Sequence, residues 1–294
     1  MDQQTWLRKN LNSLQGKTVA ITGATGGLGR EICRGVLMLE GRLLLLNRSE
    51  EKTALLRKAL LSEFPGAEIA FLPLDLADFD SVKAACTALE GRPWDILLHN
   101  AGIYDVPRYF CSTGLLNVFQ VNFAAPYYMT RRLLPLLRQR RGRVAVVGSI
   151  AHRYAPSDPL DPDFHTRSHC HLIYGNSKRY LRFALWALMQ KEPTVGFSVG
   201  HPGVTVTNIS NHFPNWLYAI IQYPMKLIFM KPRKACRGIL TAVSQDLPSG
   251  YWAGPWLLDT WGNPKIRLLK GVSGKEQGEI FKAAEEIFER LQAL

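Results

Sequence analysis

The chain has 294 residues, of which 47% are hydrophobic and 20% are charged. This composition is that of a globular protein with a substantial core, and we predict one domain over residues 1–294. No apolar run reaches the roughly 18 residues that a membrane span needs. The first ten residues, MDQQTWLRKN, are polar and charged, which excludes a secretory signal and predicts a cytoplasmic protein.

The formal net charge of +12 favours an anionic ligand, an anionic membrane or nucleic acid as a partner. The densest cationic run, TRRLLPLLRQRRGR, ends a predicted helix, and no nucleic-acid-binding motif accompanies it. We therefore expect no nucleic acid partner. The five cysteines include no Cys-x-x-Cys pair, which indicates reduced thiols rather than a disulfide framework.

Short apolar runs alternate with segments of helical periodicity along the chain. Six of these runs predict buried strands: KTVAIT, RLLLLN, EIAFLPL, WDILLHN, RVAVVGS and VGFSVGH. Such an alternation predicts an α/β fold, in which helices cover both faces of a doubly wound parallel sheet. The last run, GKEQGEIFKAAEEIFERLQAL, predicts a closing amphipathic helix.

A glycine-rich stretch, TGATGGLGRE, follows the first predicted strand and precedes a predicted helix. Glycines at such a turn let the backbone approach a pyrophosphate, whose charge the helix N-terminus binds. Gly23, Gly27 and Gly29 are the expected contacts. The spacing fits Thr-Gly-x-x-x-Gly-x-Gly through Gly27 and also Thr-Gly-x-x-Gly-x-x-Gly through Gly26, so two dinucleotide-binding patterns stay open at this point.

The second predicted strand ends in Asn47 and Arg48. A dinucleotide with a free ribose is usually held there by an acid, whereas a 2'-phosphate needs a cation and no acid. Arg48, without a neighbouring carboxylate at this turn, favours NADP(H) as the cofactor. A solvated arginine with no ligand is the alternative.

The stretch LIYGNSKRY places Tyr174 four residues before Lys178 on a predicted helix. Residues at this spacing share one face of a helix. A half-buried tyrosine beside a solvated lysine would satisfy the same spacing, so the pair alone does not establish a catalytic site.

Taken together, these motifs resemble the short-chain dehydrogenase/reductase family over nearly the whole chain. The resemblance also rests on NAG at residues 100–102, Asn122 in FQVNFAAP, Ser149 in VAVVGSIAH, and HPGVTVT from residue 201. It implies a Rossmann-type fold, and it favours the short dehydrogenases over the longer sugar-nucleotide epimerases, which stay a minor alternative.

The resemblance implies four catalytic residues. Tyr174 would exchange a proton with the substrate oxygen, Ser149 would hold that oxygen, and Asn122 would complete a proton relay through water. Lys178 would bind the cofactor ribose and lower the pKa of Tyr174, which is about 10 in an unperturbed tyrosine, because a nearby positive charge favours the phenolate.

The cofactor contacts implied by the resemblance follow the carboxyl ends of the strands. They are Thr22, Gly23, Gly27, Leu28, Gly29, Asn47, Arg48, Asp75, Leu76, Asn100, Ala101, Gly102, Tyr174, Lys178, Pro202, Gly203 and Thr207.

Ser149 lies 25 residues before Tyr174, a longer separation than most of the family has. A long insertion here, with a histidine soon after the serine, is characteristic of the retinol dehydrogenase and protochlorophyllide reductase-like branch, which implies lipophilic substrates. Gly148 stands where that branch usually has a second serine. The insertion carries histidine, cysteine and aspartate, but their close spacing argues against a metal site, and we predict a turn-rich surface loop at the rim of the substrate cleft and no metal.

An apolar segment at about residues 209–232 falls where the family places a flap over the substrate. We predict substrate contacts at Tyr104, His152, Phe213, Trp216 and Leu217. Packing against the body of the protein, or peripheral membrane contact through the neighbouring lysines and arginines, would also explain this segment.

The sequence therefore predicts an NADP(H)-dependent oxidoreductase acting on a lipophilic alcohol or carbonyl compound. A dinucleotide-sensing binding protein of the same fold is the competing interpretation, against which the intact set of Asn122, Ser149, Tyr174 and Lys178 argues. The sequence does not give the oligomeric state; enzymes of the resembled family often form homodimers through the helices equivalent to those that carry Asn122 and Tyr174.

Overall fold

The core of the protein is one mixed sheet flanked by helices. The computed structural model describes residues 2–205, 230–269 and 271–294. The strands in these residues are Thr18–Thr22 (β1), Arg42–Asn47 (β2), Ile69–Pro73 (β3), Ile96–His99 (β4), Arg143–Val147 (β5), Gly196–Gly200 (β6), Tyr251–Leu257 (β7) and Trp261–Leu268 (β8). Their order in the sheet is β3-β2-β1-β4-β5-β6-β7-β8. The first seven strands run parallel, and β8 pairs antiparallel with β7.

Helices connect these strands. Within the described residues they are Gln3–Asn10 (α1), Gly27–Met38 (α2), Glu50–Glu63 (α3), Phe79–Glu90 (α4), Asn117–Phe119 (α5), Ala125–Arg132 (α6), Leu134–Arg140 (α7), Cys170–Gln190 (α8), Pro232–Ser244 (α9) and Gly274–Gln292 (α10). A π-helical turn, Gln120–Ala124, lies between α5 and α6, and a 3-10 turn, Ile150–Arg153, follows β5. None of the described helices is long and apolar enough to cross a bilayer.

Successive strand residues face opposite sides of the sheet and are buried on both. In β1, Val19 and Ile21 belong to a hydrophobic cluster that includes side chains of α1, α2, α3 and α9. Ala20 belongs to a second cluster, built with α4, α6, α8 and α10. Because both faces are covered, the strands are apolar throughout rather than alternating. The predicted doubly wound parallel sheet is confirmed.

The six predicted strands are present, but the sequence interpretation did not include β7 and β8. Their sequences, YWAGPWL and WGNPKIRL, are interrupted by Pro255 and Pro264, and proline within an apolar run argues against a strand. In the structure these two prolines face each other across the β7–β8 pair. β8 lies at the edge of the sheet, where a missing backbone N–H is tolerated.

Candidate functional site

The glycine turn after β1 combines two tightly packed positions with one open position. Gly23 has a φ of +68°, and a Cβ atom there would lie 2.8 Å from the Cα of Ala101. A Cβ on Gly29 would lie 2.4 Å from the carbonyl oxygen of Gly23, whereas a Cβ on Gly27 would meet nothing within 4 Å. α2 begins at Gly27, so the helix N-terminus has an open face that a phosphate can approach.

Polar side chains from β1 and from the end of β4 hold this turn in place. The Thr22 hydroxyl accepts hydrogen bonds from the backbone N–H groups of Asn100 and Ala101, at 3.1 and 3.0 Å. The Asn100 amide donates to the carbonyl oxygens of Thr22 and Gly23, at 2.9 and 3.0 Å. Thr22 and the Asn100 side chain were predicted as cofactor contacts, and the structure shows them supporting the turn.

Asn47, at the end of β2, supports the same turn from the other side. Its side chain is buried, its Oδ1 accepts the backbone N–H of Ala24 at 2.8 Å, and its Nδ2 donates to the Thr53 hydroxyl at 3.1 Å. The Asn47 amide is therefore engaged with protein groups and holds the turn in position rather than facing a ligand.

Arg48 is the exposed cation at the end of β2. Its side chain is 77% exposed and its Nη1 lies 3.8 Å from a carboxylate oxygen of Asp75. The premise that no carboxylate neighbours Arg48 is therefore wrong, because the end of β3 supplies one. An ion pair this long and this exposed is weak, so the guanidinium stays accessible to a ligand. Leu76 is buried, and its carbonyl oxygen accepts from Gln120 at 3.1 Å.

Tyr174 and Ser149 meet at the carboxyl edge of the sheet. Ser149 follows β5, Tyr174 lies in the first turns of α8, and their side chains lie close enough for the Ser149 hydroxyl to act on the phenol. Burial raises the pKa of Tyr174, and the Ser149 hydroxyl opposes this shift. The predicted lowering by Lys178 is wrong for this structure, because desolvation of the phenol dominates. The Tyr104 ring packs edge-on against Tyr174, with centroids 5.1 Å apart.

Lys178 lies one helical turn after Tyr174 and is buried beneath the end of β5. Its Nζ donates to the carbonyl oxygen of Val147 at 3.4 Å and lies 5.8 Å from the centroid of the Tyr174 ring. Burial lowers the pKa of Lys178 to about 8. A Cβ on Gly102 would lie 3.2 Å from both this Nζ and the Oδ1 of Asn122, so glycine keeps the space above the lysine clear.

Asn122 lies on the π-helical turn, which the sequence interpretation did not foresee. Its Nδ2 donates to the carbonyl oxygen of Ile103 at 2.9 Å and to the Ser177 hydroxyl at 3.1 Å, and its Oδ1 accepts the Ile103 N–H at 2.8 Å. Such wide turns occur frequently at functional sites. The Asn122 side chain thus fixes the segment after β4 against α8, and its proton-relay role stays a prediction.

Comparison with known proteins identifies the family. The sequence model of the family described as short chain dehydrogenase matches residues 17–157. Dehydrogenase/reductase SDR family member 13 from Bos taurus is 33% identical over 246 residues, covering 81% of this chain and 65% of that protein. The chain belongs to the short-chain dehydrogenase/reductase family. Its match thus spans just under two thirds of the length of the cattle protein.

Other relatives support the same family and its predicted branch. Retinol dehydrogenase 14 from Homo sapiens is 32% identical, covering 68% of this chain and 65% of that protein. An uncharacterized oxidoreductase from Schizosaccharomyces pombe is 29% identical, covering 98% of this chain and 90% of that protein. The predicted resemblance to the retinol dehydrogenase-like branch is confirmed.

Solved structures of low sequence identity share the fold. An uncharacterized protein from Mycobacterium paratuberculosis has a TM-score of 0.74 at 23% identity, with 96% of each chain covered. The NADPH-dependent 3-quinuclidinone reductase from Rhodotorula rubra has a TM-score of 0.62 at 20% identity, covering 79% of this chain and 86% of that one. These similarities concern the Rossmann-type architecture of the short-chain dehydrogenases.

His152 lies in the interior of the protein rather than on a substrate-facing surface. It is buried, its Nδ1 contacts the carbonyl oxygen of Ser149, and its Nε2 lies 2.6 Å from an Nη1 of Arg182. Burial lowers the pKa of His152 to about 3, so the neutral ring donates through Nδ1 and accepts through Nε2. This placement argues against the predicted direct contact of His152 with a substrate.

Arg182 was missed at the sequence level. It is 1% exposed, and its guanidinium packs over the Trp252 ring at 4.8 Å from the centroid. It lies four residues after Lys178 and eight after Tyr174, so all three occupy one stripe of α8. The four-residue spacing of Tyr174, Lys178 and Arg182 could have identified Arg182 from the sequence.

The insertion before Tyr174 is anchored to the body of the protein. Asp163 accepts the backbone N–H of Leu116 at 2.9 Å, and Asp161 accepts the N–H of His165 at 2.9 Å. Asp161, Asp163 and His165 place one potential ligand atom each within 4.8 Å of one another. Both carboxylates are buried, although much of the insertion is exposed as predicted for a surface loop, and these contacts give the carboxylates a structural role.

The segment after β6 supplies the remaining predicted contacts. Pro202 is buried, and Gly203 has a φ of +77° with the carbonyl oxygen of Thr260 only 2.5 Å from where a Cβ would lie. Four predicted site residues lie outside the described residues, namely Thr207, Phe213, Trp216 and Leu217. Most of the predicted flap at 209–232 also lies outside them.

Proposed function

We propose that the protein is an oxidoreductase that transfers a hydride between NADP(H) and a lipophilic alcohol or carbonyl compound. The observation that carries this proposal is the convergence of Tyr174, Ser149 and Lys178 at the carboxyl edge of the sheet, where Gly102 lets the backbone pass close to Lys178 and Asn122. In open α/β sheets, ligands bind at this edge.

The residues present fit a nicotinamide dinucleotide. The open helix N-terminus at Gly27 suits a pyrophosphate, and the exposed Arg48 suits a phosphate on the adenine ribose. Lys178, next to Gly102, would hold the other ribose. When bound, the cofactor supplies or accepts the hydride.

The protein's own groups supply the proton chemistry. Because burial raises the pKa of Tyr174, its phenol carries a proton at neutral pH and can donate it to a carbonyl oxygen. Ser149 would position that oxygen through its hydroxyl. Positioned acid catalysis of this kind is typically worth about 10² to 10⁴ in rate. Lys178, with a pKa lowered to about 8, is mostly charged at neutral pH and would stabilise the phenolate that remains.

A lipophilic substrate is supported by the aromatic wall beside the catalytic tyrosine. The Tyr104 ring stands at 84° to the Tyr174 ring, which gives the reacting position an apolar neighbour. Relatives of this chain include retinol dehydrogenase 14 and a polyprenol dehydrogenase from Mus musculus. We propose retinoids, steroids and polycyclic ketones as the substrate classes.

A tyrosine pair on α8 tests the catalytic proposal. Tyr174→Phe should abolish turnover in a panel of carbonyl and alcohol compounds with NADPH or NADP, while cofactor binding stays nearly unchanged. Tyr180→Phe is the matched control, because the Tyr180 hydroxyl is buried without a hydrogen-bond partner among the described residues, and it should keep full activity. Turnover by Tyr174→Phe at the wild-type rate would refute the mechanism. A wild type that binds cofactor but turns over no compound would favour the dinucleotide-sensing interpretation.

The cofactor preference is tested at Arg48. A charge-assisted hydrogen bond contributes about 1.5 to 3 kcal/mol, so NADPH should bind about tenfold to a hundredfold more tightly than NADH. Arg48→Ala should remove most of this ratio, whereas Arg57→Ala, an exposed arginine on α3, should leave it intact. Fluorescence titrations of both cofactors at one salt concentration measure the ratio. An equal ratio in wild type and Arg48→Ala would show that Arg48 does not recognise the phosphate.

A further inference from the structure

The turn between β7 and β8 exposes four large apolar side chains. Trp256 is 55% exposed, Leu257 41%, Leu258 80% and Trp261 39%; we call these four residues the hairpin tip. Leu257 and Trp261 are direct partners across the two strands, so they share one face. Isolated exposed apolar residues are common, but a contiguous group marks an interaction surface.

Leu258 has a left-handed backbone conformation that leucine seldom adopts in turns. Leu258 and Asp259 have φ values of +50° and +59°, and the backbone N–H of Thr260 donates to the carbonyl oxygen of Leu257 at 2.9 Å. Glycine, asparagine and aspartate are preferred at such positions. Leucine is unfavourable at this position because its backbone is strained at a positive φ and its apolar side chain is exposed to water. The stability of the turn therefore does not explain its presence.

Cations surround the hairpin tip. Residues 231–244 and 251–268 contain six lysines and arginines and one carboxylate, Asp259. Asp259 is 7% exposed and ion-paired with Arg153 and Arg267. Lys234 lies over the Trp261 ring at 3.8 Å from its centroid. The charge presented outward by these two segments is therefore positive.

Three of these cations occupy a position that costs helix stability. Lys231 is the N-cap of α9, and Arg233 and Lys234 lie in its first turn, which contains no acidic residue. The positive end of the helix dipole disfavours cations there. The adjacent Met230 contacts the hairpin, since its Sδ accepts the backbone N–H of Gly262 at 3.3 Å, so these cations lie beside the tip.

We propose that the hairpin tip docks on the surface of an anionic lipid bilayer. Tryptophan and leucine side chains would enter the interface between headgroups and acyl chains while the neighbouring cations contact the acidic headgroups. A second copy of the chain fits less well, because it would bring two surfaces of the same positive sign together. Pro264 and Lys265 on β8 also discourage pairing between edge strands.

This docking would bring the catalytic edge of the sheet close to the bilayer. The ion pair between Asp259 and Arg153, at 2.9 Å, ties the hairpin tip to the 3-10 turn that follows Ser149. Docking does not depend on the proposed oxidoreductase activity, and it can be measured without a substrate.

The experiment is sedimentation of the full chain with vesicles of phosphatidylcholine, with and without phosphatidylserine. Leu258→Asn is the principal variant, because asparagine suits a positive φ and the fold is retained. We expect wild type to bind the vesicles that contain phosphatidylserine, more weakly at high salt, and Leu258→Asn to bind at least about tenfold more weakly. Lys231→Glu/Arg233→Glu should lose the dependence on phosphatidylserine.

Matched controls separate docking from misfolding and from catalysis. Leu55→Gln replaces a leucine of α3 that is 62% exposed, and it should bind vesicles like wild type. Cofactor binding by Leu258→Asn should equal that of wild type, since Leu258 lies outside the proposed cofactor contacts. The proposal is overturned if wild type does not sediment with acidic vesicles or if Leu258→Asn binds them as tightly as wild type. It is also overturned if Leu258→Asn converts a dimer to a monomer in analytical ultracentrifugation, because the tip would then be an interface between copies.

Discussion

Replacing Asn122 by leucine should weaken both the fold and the cofactor site. Asn122 is fully buried, and three hydrogen bonds join its amide to Ile103 and Ser177. Leucine has a similar size but leaves those three protein groups without their partner. Each unsatisfied group costs about 1 to 3 kcal/mol when buried, and Ile103 is only half-buried. We expect a loss of about 3 kcal/mol in the free energy of unfolding, at the lower end of that range.

The effect of Asn122→Leu on cofactor affinity shows whether Asn122 positions the cofactor site or only stabilises the fold. Ile103 directly follows Gly102, whose close neighbours are Asn122 and Lys178, so releasing this segment should weaken NADPH binding about tenfold, equivalent to about 1.4 kcal/mol. Urea unfolding and cofactor fluorescence titration measure the two quantities.

Asn117 provides the matched control for this variant. It is also a buried asparagine, and its amide contacts Pro107 and Val118 at 2.9 and 3.0 Å. Asn117→Leu should lose about 2 kcal/mol of stability with little change in cofactor affinity. If both variants lose the same affinity, or neither loses any, Asn122 does not position the cofactor site.

Three further predictions concern buried titratable groups. Burial lowers the pKa of His99 and His152 to about 3 and that of His201 to about 4, against about 6.5 in the unfolded chain. Burial of these neutral rings costs no stability above about pH 6.5, but each one lowers the free energy of unfolding as the pH falls, by about 2 kcal/mol per histidine at pH 5. The same urea midpoint at pH 7 and at pH 5 would contradict this prediction. Arg182→Met should leave the free energy of unfolding unchanged or raise it by up to about 3 kcal/mol. The reason is that it removes a buried cation with no acidic partner in contact within the described residues. A large loss of stability in urea would refute this reasoning. NADPH affinity should fall as the pH rises through about 8, where Lys178 loses its charge, and Lys178→Met should lack this dependence in fluorescence titrations.

The sheet was largely predictable because its parallel strands are buried on both faces. An apolar run such as RLLLLN has no other environment in which all of its side chains leave water, and β2 coincides with it. β7 and β8 were not predictable in the same way. Their pairing depends on contacts between segments whose own sequences, with Pro255 and Pro264, argue against strands.

The proposed reacting groups were predictable, but many of the residues that support them were not. Tyr174 and Lys178 stand at a spacing that a helix translates directly into one face. The roles of Asn47 and Asn100 depend on which long-range partner each amide meets, and the sequence alone does not say whether an amide faces a ligand or a neighbouring strand. The direction of the Tyr174 pKa shift likewise depends on how deeply the phenol is buried.

The hydrogen bonds around the glycine turn determine how a cofactor would arrive. Thr22, Asn47 and Asn100 brace the turn through hydrogen bonds between the protein's own groups, among them those to the Ala24 N–H and the Gly23 carbonyl oxygen. The proposed phosphate-binding surface is therefore preorganised, and little conformational entropy should be lost there when a ligand binds. Association at this end of the site should follow a single kinetic phase without a slow rearrangement, so that differences in affinity among variants of the turn arise mainly from their dissociation rates.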